Sequence, residues 1–480
     1  MKTFPLILKS GLTFTLIFFL SQSDANAQPS EKEPYIYHGY NLLLPKGFGS
    51  KQLIDLIRTK LFIDISKHVR QCPCDTALIN IDYPGLEFNG HDRVQVKTRN
   101  GQGDDIEIDL NVKGLMAEKN SEFSTDAGVN PISMKNETVV DSMLKASFNP
   151  NFKKTKKVKL AIFDSGIDKE LTKLDYIGVT SVVASCLPQL DTFDKGRDPF
   201  GQQKPADSRR IIGLNFAPKD ETGDKYNVFN ITDHGSTKHG TRVAFLIAEQ
   251  FKKSQTKGVQ LLIMKVLNKY NKGDGYGIMC AMYHAKLLGA EIMNFSLGYY
   301  GPEDLIFRKY INDMKLPRGY QSKYERPIWI VSAAGNAMEQ FEQHVDSNDE
   351  RANITADISR DLDLRNSKFY PAYFSKDIKN VISVTTVKDD LLSVCDGQNY
   401  DRKSLNIGVK ATNCLFAVGT FLEINGIWEP RSGTSFAAPV VAGWIGTKSK
   451  LFVGKDQILE GASISKPLER YILLGKFINP

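Results

Sequence analysis

The chain has 480 residues, 41% hydrophobic and 24% charged, with 62 Lys+Arg against 55 Asp+Glu and a formal charge of +7. That is ordinary globular composition, too long for one small domain and long enough for a large core. The mild positive excess is spread out. Its one dense run, Lys153-Lys154-Thr155-Lys156-Lys157, reads better as a solvated linker before a strand than as a nucleic-acid patch, so no nucleic-acid partner is expected.

Residues 1–27 read as an export signal. Lys2 and Lys9 supply positive charge, Leu12 to Leu20 is an apolar run, and Ala25-Asn26-Ala27 is a cleavage site before Gln28. The run is shorter than the roughly 20 residues a spanning helix needs, and no cysteine for a lipid anchor follows it. The rest of the chain has no spanning segment. Export to the periplasm or medium is expected, without stable membrane insertion.

Residues 28–125 predict a small α+β region: a strand at Tyr35–Leu44, a helix at Lys51–Ile65, and strands near Ala77–Tyr83, Arg93–Thr98 and Asp105–Val112. From residue 126 to 480 strands alternate with helices. Strands are expected at Val158–Phe163, Gln260–Val266, Ile292–Ser296, Ile328–Ser332 and Val381–Thr386. Helices are expected at Thr241–Gln250, Ile278–Leu288 and Ser435–Lys448. This alternation predicts an α/β fold, a parallel sheet with helices on both faces. Six cysteines (Cys72, Cys74, Cys186, Cys280, Cys395, Cys414) fit export. Cys395–Cys414 is the favoured bridge, and Cys280, inside a helical pattern, is expected as a buried free thiol. Cys72-Pro73-Cys74 has no second pair to complete a metal site.

Four segments carry chemistry. In Gly433-Thr434-Ser435-Phe436-Ala437-Ala438-Pro439, a serine opens a helix and a proline is expected inside its first turn, where no N–H is needed. Unpaired amides there can stabilise an oxyanion. A hydroxyl needs a base and an orienting acid. His239, opening the apolar helix of His239-Gly240-Thr241, is the base candidate. His234, followed by a polar loop, is expected to be solvated. Asp164, ending the strand Val158–Phe163 before Ser165-Gly166, is the acid candidate, because sites form at the carboxyl ends of parallel strands. Asn336, ending Ala333-Ala334-Gly335-Asn336, can donate to an oxyanion. Taken singly, each has a structural reading as a cap or turn residue.

In the order Asp, His, Asn, Ser, these segments resemble the subtilisin-like serine proteases, over roughly residues 125–478. The resemblance implies a triad of Asp164, His239 and Ser435, with Asn336 in the oxyanion hole. It also implies a substrate-binding strand ending in Ser296-Leu297-Gly298, with Gly335 beside it. It implies protein or peptide substrates, no cofactor for the chemistry, room for structural calcium whose ligands are unknown, and a monomer. Residues 28–125 would be a pro-region that blocks the cleft until it is cut off. The mature chain would then start near Asp126–Ser133 and the catalytic domain would span 126–480. A permanently attached accessory domain, tied through Cys72 or Cys74, is the alternative. A catalytically inactive or narrowly self-processing binding protein is the other reading of the fold. The charged stretch between Asn336 and Tyr370 is expected to be an inserted surface loop.

Overall fold

The computed structural model describes residues 37–480 apart from 74, 100–104, 126–156, 169–212, 219–229, 236, 255–257, 317–325, 337–361, 420–427 and 449–453. The export signal, the lysine-rich linker, the expected start of the mature chain and most of the inserted loop lie outside the described residues.

The core sheet grows from short apolar runs. Strands β8 (Lys157–Asp164), β9 (Gly213–Asn215), β10 (Gly258–Lys265), β12 (Ile292–Phe295), β16 (Trp329–Ala333), β18 (Val381–Val387), β19 (Ile407–Lys410), β22 (Ser463–Ile464) and β23 (Lys476–Ile478) form it. Their order is β22-β23-β19-β18-β16-β12-β8-β10-β9. All neighbours are parallel except β22 and β23. Strands buried on both faces need apolar residues at consecutive positions, and β8 shows the division. Val158, Leu160 and Ile162 join one core cluster with helices α2 (His239–Ser254) and α5 (Thr434–Thr447). Ala161 and Phe163 join the other, with helices α3 (Gly275–Leu287) and α4 (Leu305–Asn312). After β8 the chain builds outward on one side, then returns to β12 on the other. The carboxyl end of β8 is therefore the switch point where such sheets place their sites. A short helix α6 (Lys455–Glu460) and the pairs β14–β15 (Lys315–Leu316, Arg326–Pro327) and β20–β21 (Phe416–Gly419, Trp428–Arg431) complete this part.

The N-terminal region packs helix α1 (Ser50–Leu61) on an antiparallel sheet. Its strands are β1 (Tyr37–Leu43), β2 (Val69–Gln71), β3 (Leu78–Ile81), β4 (Glu87–His91), β5 (Gln95–Arg99), β6 (Asp105–Asp109) and β7 (Met116–Thr125), ordered β2-β3-β1-β7-β4-β5-β6. Leu53 and Ile57 of α1 meet Leu42, Ile79, Ile81 and Val96 in a separate core. The helix stops at Leu61, four residues short of the expected Ile65, because Phe62 turns left-handed (φ 59°) and Asp64 accepts the Ser66 amide in a tight turn. Sequence reading also passes over β2, β4 and β7.

β7 is the element that joins the two parts. Its first half pairs with β1 and β4, and its second half leaves the N-terminal sheet. There Glu122, Phe123 and Ser124 pair with β11 (Lys272–Asp274), while Ser124 and Thr125 pair with β13 (Leu297–Tyr300). β13 in turn pairs with β17 (Phe369–Tyr370). Around β7 the contact is polar and specific. Asn120 Oδ1 accepts the Tyr276 amide at the start of α3 (2.9 Å) and the Asn41 amide (3.0 Å). Arg70 reaches Asp274 (2.9 Å), the N-cap of α3.

Cysteine pairing departs from expectation in one place. Cys395 and Cys414 are bonded, as the sequence suggested. Cys280 is no free thiol: it is bonded to Cys72 of the N-terminal region. Helical spacing located Cys280 in the core correctly but carried no information on its distant partner. Among the described residues no helix is long and apolar enough to cross a membrane.

One buried and one partly buried carboxylate at this junction tie stability to pH. Asp304 caps α4 by accepting the Phe307 amide (2.8 Å), and burial pushes its carboxyl up to about 7. Burial likewise pushes Glu118 of β7, which sits 2.6 Å from His91, up to about 7. A carboxyl raised above its unfolded value binds a proton on folding, so its contribution is full at low pH and lost as pH rises through the raised value. The thermal midpoint of the full chain should show this decline from about pH 4 to about pH 7. Asp304→Asn, which keeps the capping oxygen, should make it shallower and leave the share due to Glu118; an unchanged pH slope would remove Asp304 from the account.

Candidate active site

Asp164 ends β8 and points into the junction with α2. Its Oδ1 accepts the Ser165 amide (2.7 Å) and hydroxyl (3.2 Å), and His239 Nδ1 lies 2.9 Å from Oδ1 and 3.0 Å from Oδ2. Both side chains are 1% exposed. A buried carboxylate is tolerable only when its lone pairs are used, and here they are. The Asp-Ser-Gly turn brings this about: Ser165 Oγ accepts the Gly240 amide from the first turn of α2 (3.0 Å), clamping the helix start onto the strand end. Close approach demands glycine on both sides. Gly166 has φ +117°, and a Cβ on Gly240 would lie 2.3 Å from the Gly166 carbonyl oxygen. Thr241 fastens the same turn, its amide and hydroxyl donating to Asp233 (3.1 and 2.9 Å) while its hydroxyl accepts the Asp168 amide (3.0 Å).

Ser435 is the second residue of α5, after Gly433 at φ +126°. Pro439 is the sixth residue of that helix, so it lies beyond the first turn where the sequence reading put it. Lacking an N–H, it cannot bond to the carbonyl four residues back, which is that of Ser435. The structure fills the gap from β12's end: Ser296 Oγ donates to the Ser435 carbonyl (2.7 Å) and accepts from Asn294 Nδ2 (2.9 Å). The Ser435 hydroxyl is buried and makes no hydrogen bond among the described residues. The rings of His239 and Phe436, the residue after Ser435, are 5.1 Å apart, so the base candidate lies against the start of α5.

Asn336 follows β16, parallel to β12 and close to the same helix start. Its Oδ1 accepts the Thr434 amide (3.2 Å), and Thr434 Oγ1 accepts the Gly335 amide (2.9 Å). The carbonyl end of the half-buried Asn336 side chain is thus held by α5. A fixed, uncharged donor is the kind of group an oxyanion site requires.

The remaining predicted residues separate by role. Leu297 and Gly298 pair along the backbone with Thr125 and Ser124. Ser296 uses its side chain to hold Ser435, and Gly335 packs tightly under Phe369 and Asn399, within 3 Å of where a Cβ would lie. His234 is exposed, whereas His239 is buried, as expected for the two histidines. Sequence reasoning missed Ser165, Thr241 and Asp233 as the clamp on His239, although the first two stand inside the quoted motifs. It also missed that Glu122–Thr125 of β7 pair with β11 and β13. Among the described residues the potential metal ligands lying together are Cys72, Cys280 and His284. Their two sulfurs are bonded to each other, and the set is not the oxygen-rich kind that calcium takes.

The profile described as the subtilase family matches residues 155–451. Over 282 residues the chain is 26% identical to a "Subtilisin-like protease 3" of Plasmodium falciparum (isolate 3D7), covering 55% of this chain and 32% of that protein. Over 133 residues it is 35% identical to an "Intracellular serine protease" of Paenibacillus polymyxa, covering 27% and 36% respectively. The chain thus spans about a third of the length of these curated relatives. With the profile covering more than half of its residues, and with an aspartate, a histidine and a serine on the strand end and helix starts just described, the chain belongs to the subtilase family.

Proposed function

We propose that the protein is an exported serine endopeptidase, made with an N-terminal domain (28–125) that fills its own substrate cleft. The observation that carries the reading is the seating of β7. An extended segment of polypeptide lies antiparallel between β11 and β13, backbone to backbone. A cleft that pairs with a peptide backbone on both sides suits a peptide substrate better than a small ester. The ladder runs Ser124–Gly298, Thr125–Leu297; the next enzyme residue in that direction is Ser296, whose hydroxyl touches the Ser435 carbonyl. The ladder is therefore headed toward Ser435, in keeping with a cleavage just beyond Thr125 and a mature chain starting near Asp126–Ser133.

In this reading Ser435 Oγ attacks the scissile carbonyl while His239 Nε2 accepts its proton. Asp164, bonded at Nδ1, fixes the tautomer and stabilises the imidazolium. The Asn336 NH2 and the Ser435 amide hold the oxyanion. Collapse of the tetrahedral adduct passes the proton from His239 to the leaving amine and leaves an acyl-enzyme. Water, deprotonated by the same histidine, then releases the acid and restores Ser435. The motif groups are all present, which gives no support to an inactive binding relative. Export rests on the N-terminal signal, and no residue here is assigned to a cofactor.

Three measurements test the proposal. Ser435→Ala should lower peptide hydrolysis by about 10⁶, the scale set by removing the corresponding serine of subtilisin itself, and should leave the chain uncut while the wild type is shortened to a start within 126–133. His239→Ala should be comparably damaging and His234→Ala nearly silent; the reverse pattern would move the base to His234. Asn336→Leu should reduce kcat by about 10²–10³, again the scale known for the subtilisin oxyanion hole, with little change in KM. A change confined to KM would put Asn336 in the binding cleft instead.

A further inference from the structure

The mature protease is expected to shed its N-terminal domain, yet a covalent bond crosses the junction. Cys72 sits between β2 and β3 of the N-terminal region, its amide bonded to the Leu78 carbonyl (3.2 Å). Cys280 lies midway along α3, in the family part of the chain. They are 208 residues apart in sequence, so a cut just after Thr125 falls between them and leaves one cysteine of the pair on each fragment. Cys395–Cys414 lies wholly in the second fragment.

We propose that Cys72–Cys280 is an inhibitory latch: after the backbone is cut beyond β7, the N-terminal domain stays attached through this bond, keeps Glu122–Thr125 in the cleft, and departs only when a thiol reductant opens the disulfide. The inference rests on the self-inhibited protease reading above. The step balances as Cys72–S–S–Cys280 plus two thiols giving two cysteine thiols and the oxidised dithio form of the reductant.

The bond is placed among contacts that seat the N-terminal domain on the same face. Arg70 spans to Asp274 and stacks 4.6 Å over the Tyr276 ring. Asp75 accepts from the Tyr310 hydroxyl of α4. Phe123, 1% exposed, packs against Tyr299 (4.7 Å between rings) and Phe307 (5.4 Å). A tether raises the local concentration of its partner to the millimolar range. At micromolar protein that is roughly a 10³-fold gain in cleft occupancy over a freely diffusing domain. Both sulfurs are buried, Cys72 at 0% and Cys280 at 1%. Attack by a thiolate needs access to sulfur, so reduction must await a local lifting of the β2–β3 hairpin. Release is then controlled at the junction and not at the cleft.

The test uses the full chain with Cys74→Ser and Cys186→Ser, so that no other thiol can join the fragments. A recognition sequence for an exogenous site-specific protease is inserted between residues 131 and 150. After that protease has cut, denaturing electrophoresis with free thiols blocked should show one linked species, resolving into two on adding dithiothreitol. Hydrolysis of a peptide substrate should rise about tenfold or more on adding dithiothreitol. The same chain carrying Cys72→Ser and Cys280→Ser should be active without thiol and unresponsive to it. Unreduced peptide mapping of the cut chain with all six cysteines, which needs no variant to fold, should recover the Cys72–Cys280 cross-linked peptide. Fragments that separate without thiol, or a linked protein equally active before and after reduction, would overturn the latch. Because the cut is made by an added protease, a failure of self-cleavage counts against the maturation reading alone.

Discussion

The structure depends on bringing the end of one strand against the start of one helix. Asp164 and His239 meet there almost wholly excluded from water, and the desolvation cost of such a pair is offset only by near-complete hydrogen bonding. The surrounding sequence reads as a set of means to that end. Ser165 serves both the carboxylate and the helix amide, Gly166 turns where a side chain could not, and Gly240 lets the helix approach. Thr241 then ties the first turn of α2 to Asp233 and to the chain after the turn. The alternating apolar positions of β8 fix which face α2 packs on, so the core of the sheet and the geometry of the proposed triad are one constraint.

A second dependence runs through Pro439. A proline inside α5 removes the bond that would occupy the Ser435 carbonyl, and Ser296 supplies the replacement from the end of β12. The same residue, Ser296, marks where β12 ends and β13 turns into the antiparallel ladder with β7. The helix that presents the serine and the strand that pairs with β7 are therefore set in register by a single hydroxyl. This is a physical reason for that ladder and Ser435 to hold their spacing.

Much of this was legible from the residues. The five strands and three helices expected in residues 126–480 are all present, with ends displaced by a few residues, because continuous apolar runs and helical periodicity are local signals. The Asp-Ser-Gly, His-Gly-Thr and Gly-Thr-Ser motifs pointed to the candidate site through their order along the chain. What stayed hidden was non-local. β7 has no continuous apolar stripe, its burial arising from β1, β11 and β13 far away in sequence. The partner of Cys280 could not be read from helical spacing, which places a thiol in the core without saying what it faces. The Pro439 reading failed by half a turn, since the helix begins at Thr434 and the compensating donor comes from residue 296.

The central claim, a serine nucleophile activated by His239 and Asp164, is tested most directly by a serine-reactive fluorophosphonate probe, with the modified residue located by mass spectrometry. The chain freed of its N-terminal domain should carry the adduct on Ser435, and His239→Ala should abolish labelling. Absence of labelling in that freed, folded chain, or an adduct on a different serine, would contradict the account.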